Sequence, residues 1–180
     1  MGTGKTMIIR ALAKETNALV FDLTPEFVRE RYTEKSELTR LIWSVIICAK
    51  NYQPSIIMVD EFESIFSTVK KKKDAIPSFG PKMKKIIVDM KKNKLWAKTD
   101  RIAVVGCSSR PYDASMKEMK KLFDKKIYFP YPNYATRKLL IKHFMEARLG
   151  KQLDTFPYDT FANTTEGFTA GSVIFSLNVV

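Results

Sequence analysis

The 180-residue sequence is poor in the residues that build secreted scaffolds and metal centres: it has two cysteines and one histidine. Cys48 ("VIICAK") and Cys107 ("AVVGCSS") stand far apart inside apolar phrases, which excludes a disulfide framework and a zinc-type spacing and fits two buried thiols in a reducing compartment. His143 lies in a charged, helix-like stretch and reads as a surface residue rather than a ligand or base. No apolar run reaches the length that crosses a bilayer, so a soluble intracellular protein without a membrane partner is expected. Acidic residues are scarce as well. Against 31 Lys and Arg stand 19 Asp and Glu, a net charge of +12, which points to a partner of the opposite sign: nucleic acid, anionic lipid or an acidic polymer face. The densest cluster, "KKKK" at 70–73, has no aromatics interleaved with its lysines, so bases would find nothing to stack on and nucleic acid is the least expected partner. The cluster reads as a solvated loop, with contact to an acidic neighbour as the alternative.

What is present can fold. With 45% hydrophobic and 12% aromatic residues the chain can bury a core, and disorder is not the default. Four apolar runs read as strands: "ALVFDL" (18–23), "SIIMVD" (55–60), "IAVVGC" (102–107) and "KIYFPY" (126–131). Near-continuous Val, Ile, Leu and Met predicts parallel strands covered on both faces. Between them lie helical patterns. In "SELTRLIWSVIICAK", Leu38, Leu41, Ile42, Val45 and Ile46 share one face and Ser36 is the expected N-cap; in "MIIRALAKE" the expected face is Ile8, Ala11 and Leu12. Pro77, Gly80 and Pro81 predict a loop before the helix "KMKKIIVDMKK". After Pro132 the pattern turns helical, with further helices expected near Asp159 and Ala170. Strands alternating with helices imply crossovers and a parallel sheet.

Two motifs carry chemistry. "MGTGKT" matches the end of a phosphate-binding loop, although the first Gly of the full pattern GxxxxGK[ST] does not precede it in these residues. Such a loop works because backbone N–H groups, unobstructed by side chains, surround phosphate at a helix N-terminus. Gly2 and Gly4 supply that backbone, Lys5 reaches the β- and γ-phosphates, and Thr6 offers a hydroxyl to Mg²⁺; Thr3 and Met7 complete the expected contacts to ATP. The second motif, "SIIMVDE", is an apolar strand ending in two acids. Asp60 is placed to hold Mg²⁺ through water and Glu61 to orient and deprotonate an attacking water. Two exposed acids capping a strand are the plain alternative, but the order GKT, helix, strand, helix, acid-tipped strand favours the nucleotide site.

With these residues in place the chain resembles the AAA+ ATPases over nearly its whole length. "QPSIIMVDEFESIF" is similar to their Walker B segment, "RIAVVGCSSRPYD" to the strand and turn ending in sensor 1, "LFDKKIYFPYPNYATR" to their fifth-strand region, and "TEGFTAGSV" to the start of a lid helix. The resemblance implies an α/β fold, a P-loop parallel sheet flanked by helices over 1–134, followed by the start of a helical lid over 135–180. It also implies ATP and Mg²⁺ as ligands. Departures from the pattern imply weak or slow hydrolysis. Ser109 stands where sensor 1 is usually Asn and has less reach to the lytic water. Lys120 and Lys121 stand where finger arginines are usual, and lysine lacks the planar fork that clamps two phosphate oxygens. Arg110 follows sensor 1 on the turn rather than lying on the finger helix, and Tyr32 in the pore-loop region is followed by Thr33 and Glu34 where a small apolar residue and Gly are usual, so threading of a polypeptide is not expected.

Within the AAA+ proteins, "PSFGPKMKKI", "SRPYDA", "PNYATR" and "EGFTAG" resemble the IQ-motif and AAA-domain proteins, subunits of the nexin–dynein regulatory complex in motile cilia. That resemblance implies a structural role in the axoneme, with other subunits of that complex and the doublet microtubule as partners, and acidic tubulin as a candidate neighbour of Lys70–Lys73. It also implies calmodulin binding through an IQ helix upstream of Met1. An active oligomeric ATPase remodelling microtubules or protein complexes is the alternative. In an AAA+ sheet the strand before the phosphate loop is central, lying between 102–107 and 126–131. The expectation is therefore a piece of a longer protein, whose upstream residues supply that strand and the first loop Gly.

Overall fold

Each residue of Ser55–Val59 is buried, and this strand runs down the middle of the sheet. The computed structural model describes residues 2–25, 28, 31, 32, 34–64, 79–92, 97, 99–150 and 156–178. The Lys70–Lys73 cluster and Thr33 lie outside the described residues, as does the side chain of Lys121. The chain divides into two compact units, residues 6–126 and residues 127–180 together with the first five.

In the first unit the elements follow as α1 (Lys5–Glu15, whose first residue is counted with the other unit), β1 (Leu19–Asp22), α2 (Lys35–Asn51), β2 (Ser55–Val59), α3 (Phe79–Lys92), β3 (Ile102–Gly106) and α4 (Met116–Leu122). The three strands are parallel in the order β1-β2-β3, with Val20 opposite Ile56, and Ile56 opposite Ala103. Alternation along β2 assigns its side chains to two cores. Ile57 and Val59 join Leu38, Ile42 and Ile46 of α2 and Met83, Ile86 and Ile87 of α3; Ile56 and Met58 join Ile9 and Ala13 of α1 with Cys107. Apolar residues on both sides are what a strand covered by helices on both faces requires.

The expected face of α2 is the buried one: Leu38, Ile42 and Ile46 are within 1% of full burial, with Leu41 and Val45 packed at its edge. Its N-cap is Glu34 rather than Ser36. The Glu34 N–H donates to Oε2 of Glu37, and the Ser36 hydroxyl is spent on Oε2 of Glu34 inside the first turn. On α1 the expected face is wrong. Ile9 and Ala13 are buried, whereas Ile8 and Leu12 are about half exposed, at 50% and 51%. An α-helix turns about 100° per residue, so an apolar residue on either side of Ile9 offers a second arc, and contact with the sheet chooses between them. Helix α3 starts at Phe79 and takes Gly80 and Pro81 into its first turn, where a missing N–H costs no helical hydrogen bond. Cys107 is buried, but Cys48 is only partly so.

Residues 126–131 form no strand, against expectation. Ile127, Tyr128 and Tyr131 are 79%, 85% and 60% exposed, and no strand runs beside them among the described residues. Strand propensity has effect only where a ladder partner exists, and Pro130 and Pro132 bring no donors.

In the second unit α5 (Tyr134–Leu149), α6 (Tyr158–Thr164) and α7 (Ala170–Asn178) lie where helices are expected, packed around Ile141, Ala162, Val173 and Leu177. Asn133 caps α5, its side chain accepting from the Thr136 N–H. Buried Arg137 is satisfied by carbonyls, Nε donating to Ala162 and Nη1 to Pro132. No helix among the described residues is long and apolar enough to cross a membrane.

Candidate functional site

Gly2 and Gly4 both have positive φ, +81° and +92°, the left-handed region in which a side chain is strained. A Cβ on Gly2 would also lie 2.6 Å from Oγ1 of Thr169. The Gly171 N–H donates to the Gly2 carbonyl at 2.8 Å, so the loop rests on the first turn of α7. Thr3 accepts at Oγ1 from Nζ of Lys5 at 3.2 Å. A glycine loop entering a helix in this way presents backbone rather than side chains, as anion binding requires.

In the first unit Thr6, on the first turn of α1, donates from Oγ1 to Oδ2 of Asp60 at 2.6 Å. The other oxygen of Asp60, Oδ1, accepts from the Glu61 N–H at 2.9 Å. A hydroxyl and a carboxylate in contact form a hard-oxygen pair of the kind Mg²⁺ takes, so the residues present fit that ion. Glu61 is exposed and has φ of +47°, sparsely populated for a non-glycine residue and characteristic of strained functional turns. Met7 is 67% exposed.

Ser109 sits on the turn beyond β3. The ladder runs past the strands, Cys107 N–H to the Val59 carbonyl and Phe62 N–H to the Cys107 carbonyl, and so brings this turn beside the segment after β2. Its N–H, and that of Arg110, donate to Oε1 of Glu63 at 3.2 and 3.3 Å. Glu63 is 6% exposed. Sequence reasoning singled out Asp60 and Glu61 and passed over Glu63; the available signal was a third acid in "DEFES".

Of the other expected positions, Lys120 is exposed on α4 and Arg110 pairs with Asp113 at 3.6 Å. Tyr32 packs against the α2–α3 core instead of standing free. Among the described residues no group of His, Cys, Asp and Glu is arranged to hold a metal by itself.

Comparison with known proteins agrees with this arrangement. The family described as "ATPase family associated with various cellular activities (AAA)" matches residues 1–131. Dynein regulatory complex protein 11 of Mus musculus is 32% identical over 178 residues, covering 96% of this chain and 20% of the mouse protein. Spastin of Xenopus tropicalis is 28% identical over 173 residues, again covering 96% of this chain, and 27% of spastin. The chain thus spans between a fifth and a third of the length of these relatives. The crystal structure of the FIGL-1 AAA domain in complex with ADP superposes with a TM-score of 0.75 at 20% identity, over 96% of this chain and 55% of that one, a likeness of fold. The chain belongs to the AAA family of ATPases.

Proposed function

We propose that this chain is the ATP-Mg-binding AAA domain of a structural subunit of the nexin–dynein regulatory complex in the axoneme of motile cilia, with slow hydrolysis. The observation that carries the nucleotide part is the Thr6–Asp60 hydrogen bond, which joins the GKT helix start to the acid tip of β2. The roles then fall on Gly2, Thr3, Gly4, Lys5, Thr6 and Met7 for the nucleotide, and on Thr6 and Asp60 for Mg²⁺. Bound Mg²⁺ supplies neutralisation of the charge that builds on the phosphate oxygens. Glu61 accepts a proton from the attacking water, Ser109 orients that water, and Lys5 holds the transferred phosphoryl group. The similarity to dynein regulatory complex protein 11 supports other subunits of such a complex as partners; the doublet microtubule is the further partner this role would bring. The ADP in the FIGL-1 structure supports the choice of nucleotide.

Slow turnover follows from Ser109 at the sensor position and from an exposed lysine, Lys120, on the helix where finger arginines are usual. ATP then acts mainly as a structural ligand, stabilising the fold by mass action. A second reading, an active oligomeric remodeller of microtubules or protein complexes, is favoured by the intact set Lys5, Thr6, Asp60 and Glu61. Turnover and oligomeric state of the full-length protein with ATP-Mg separate them. Slow hydrolysis without ATP-driven assembly supports the structural subunit; brisk hydrolysis in an ATP-dependent hexamer overturns it. Glu61→Gln should trap bound ATP under either reading.

A further inference from the structure

The carboxylate of Glu63 is nearly as buried as the core around it, a place where an acid is rarely found without strong partners. It stands in the one-turn helix Phe62–Ser64, immediately after Asp60 and Glu61. Oε1 collects two consecutive amides, those of Ser109 and Arg110, and so ties that turn to the segment after β2. Oε2 is buried and has no hydrogen-bond partner among the described residues, and the same holds for Oγ of Ser64. What Glu63 supplies to the Ser109–Arg110 turn is one acceptor oxygen at a fixed place on the β2 side.

The ladder between the two loops passes through Cys107. Ser108, Ser109 and Arg110 come after it, and there the tie back to the β2 side passes to the Glu63 side chain. A serine hydroxyl is shorter than the Asn usual at a sensor position and tolerates less misplacement. Whatever holds its backbone therefore decides whether it reaches the water that Glu61 activates.

We propose that Glu63 is a positioning residue for hydrolysis, clamping the Ser109 turn at a fixed distance from the acid pair that ends β2. The inference rests on the nucleotide reading given above and deepens it.

The test measures ATP-Mg affinity and single-turnover hydrolysis in the full-length protein for the parent, Glu63→Ala, Glu63→Gln, Ser109→Ala and the Glu63→Ala, Ser109→Ala double variant. Glu63→Ala should bind ATP within about threefold of the parent yet hydrolyse it about tenfold to a hundredfold more slowly, the scale of a small misplacement of a reacting group. Glu63→Gln keeps an acceptor oxygen for the two amides and should recover the rate to within about threefold of the parent. The double variant should be no slower than Ser109→Ala, because both changes remove the same positioned hydroxyl. Glu63→Ala hydrolysing at the parent rate, or rate losses that add in the double variant, overturns the proposal while leaving the nucleotide site standing. A parent that binds ATP but never hydrolyses it overturns both this proposal and the hydrolytic part of the function. If Glu63→Ala does not fold, Glu63→Met, which fills the same space without an acceptor oxygen, is compared with Glu63→Gln: rate lost in the Met variant and kept in the Gln variant supports the clamp, and equal rates in the two overturn it.

Discussion

Thr6 and Asp60 are 54 residues apart in sequence and share a 2.6 Å hydrogen bond. The bond ties the start of α1 to the end of β2 at a partly buried position. Their contact sets a hydroxyl and a carboxylate oxygen side by side, the donor set on which the proposed Mg²⁺ role rests.

Thr6→Ala and Asp60→Asn should each weaken ATP binding in the presence of Mg²⁺ by about tenfold or more. The double variant should lose less than the two single losses combined, with a coupling of about 0.5–3 kcal/mol. With Mg²⁺ chelated by EDTA the four proteins should converge on one weak affinity. Calorimetric titration with and without EDTA reads both effects.

Gly106, at the end of β3, has no room for a methyl group. A Cβ there would lie 2.5 Å from Cζ of Phe123 and 2.9 Å from Cδ1 of Phe62, two rings already packed with centroids 5.3 Å apart. Gly106→Ala should cost about 1–3 kcal/mol through overpacking. A lowered urea midpoint at unchanged slope checks it, and because Phe62 adjoins Glu63, hydrolysis should slow as well.

The three-helix unit carries an acid-sensitive link. Asp159 accepts from Nζ of Lys138 at 2.6 Å and from the Tyr134 hydroxyl. The hydrogen bond from Lys138, then that from Tyr134, holds the Asp159 carboxyl below the ordinary carboxylate range, while Lys138 and Tyr134 are raised chiefly by their hydrogen bonds to Asp159. A depressed carboxyl stabilises the fold above the unfolded carboxylate value, and that contribution is lost as pH falls through the folded one. Asp159→Asn should therefore lower the thermal midpoint at neutral pH and have little effect well below about pH 4. The groups are exposed, so the difference should be small, and thermal melts across that range measure it.

The three strands and the helices of the second unit were legible because their signals are local and redundant. β2 is apolar at each of Ile56–Val59, and α2 repeats Leu38, Ile42 and Ile46 on one face, so neither could be turned around without exposing the whole set. α1 was not legible in its orientation, because Ile8 and Ile9 offer two apolar arcs and only contact with Ile56 and Met58 decides between them. The run at 126–131 has strand residues without a strand, since pairing is a property of neighbours rather than of a segment. Among candidate site residues, Thr6 and Asp60 were named from their motifs and Ser109 from the AAA+ resemblance; the structure brings Thr6 and Asp60 into contact, and their roles stand as proposals. Glu63 was passed over because its partners are two backbone amides, which the third acid of "DEFES" does not by itself reveal.

The central claim, that residues 2–6 form a phosphate loop, is tested most directly by comparing equilibrium ATP-Mg affinity of the full-length protein and its Lys5→Ala variant. Removing a charge-assisted contact to phosphate is worth about 1.5–3 kcal/mol, so the variant should bind about tenfold to a hundredfold more weakly while remaining folded. A folded Lys5→Ala protein that binds ATP as tightly as the parent would contradict the account.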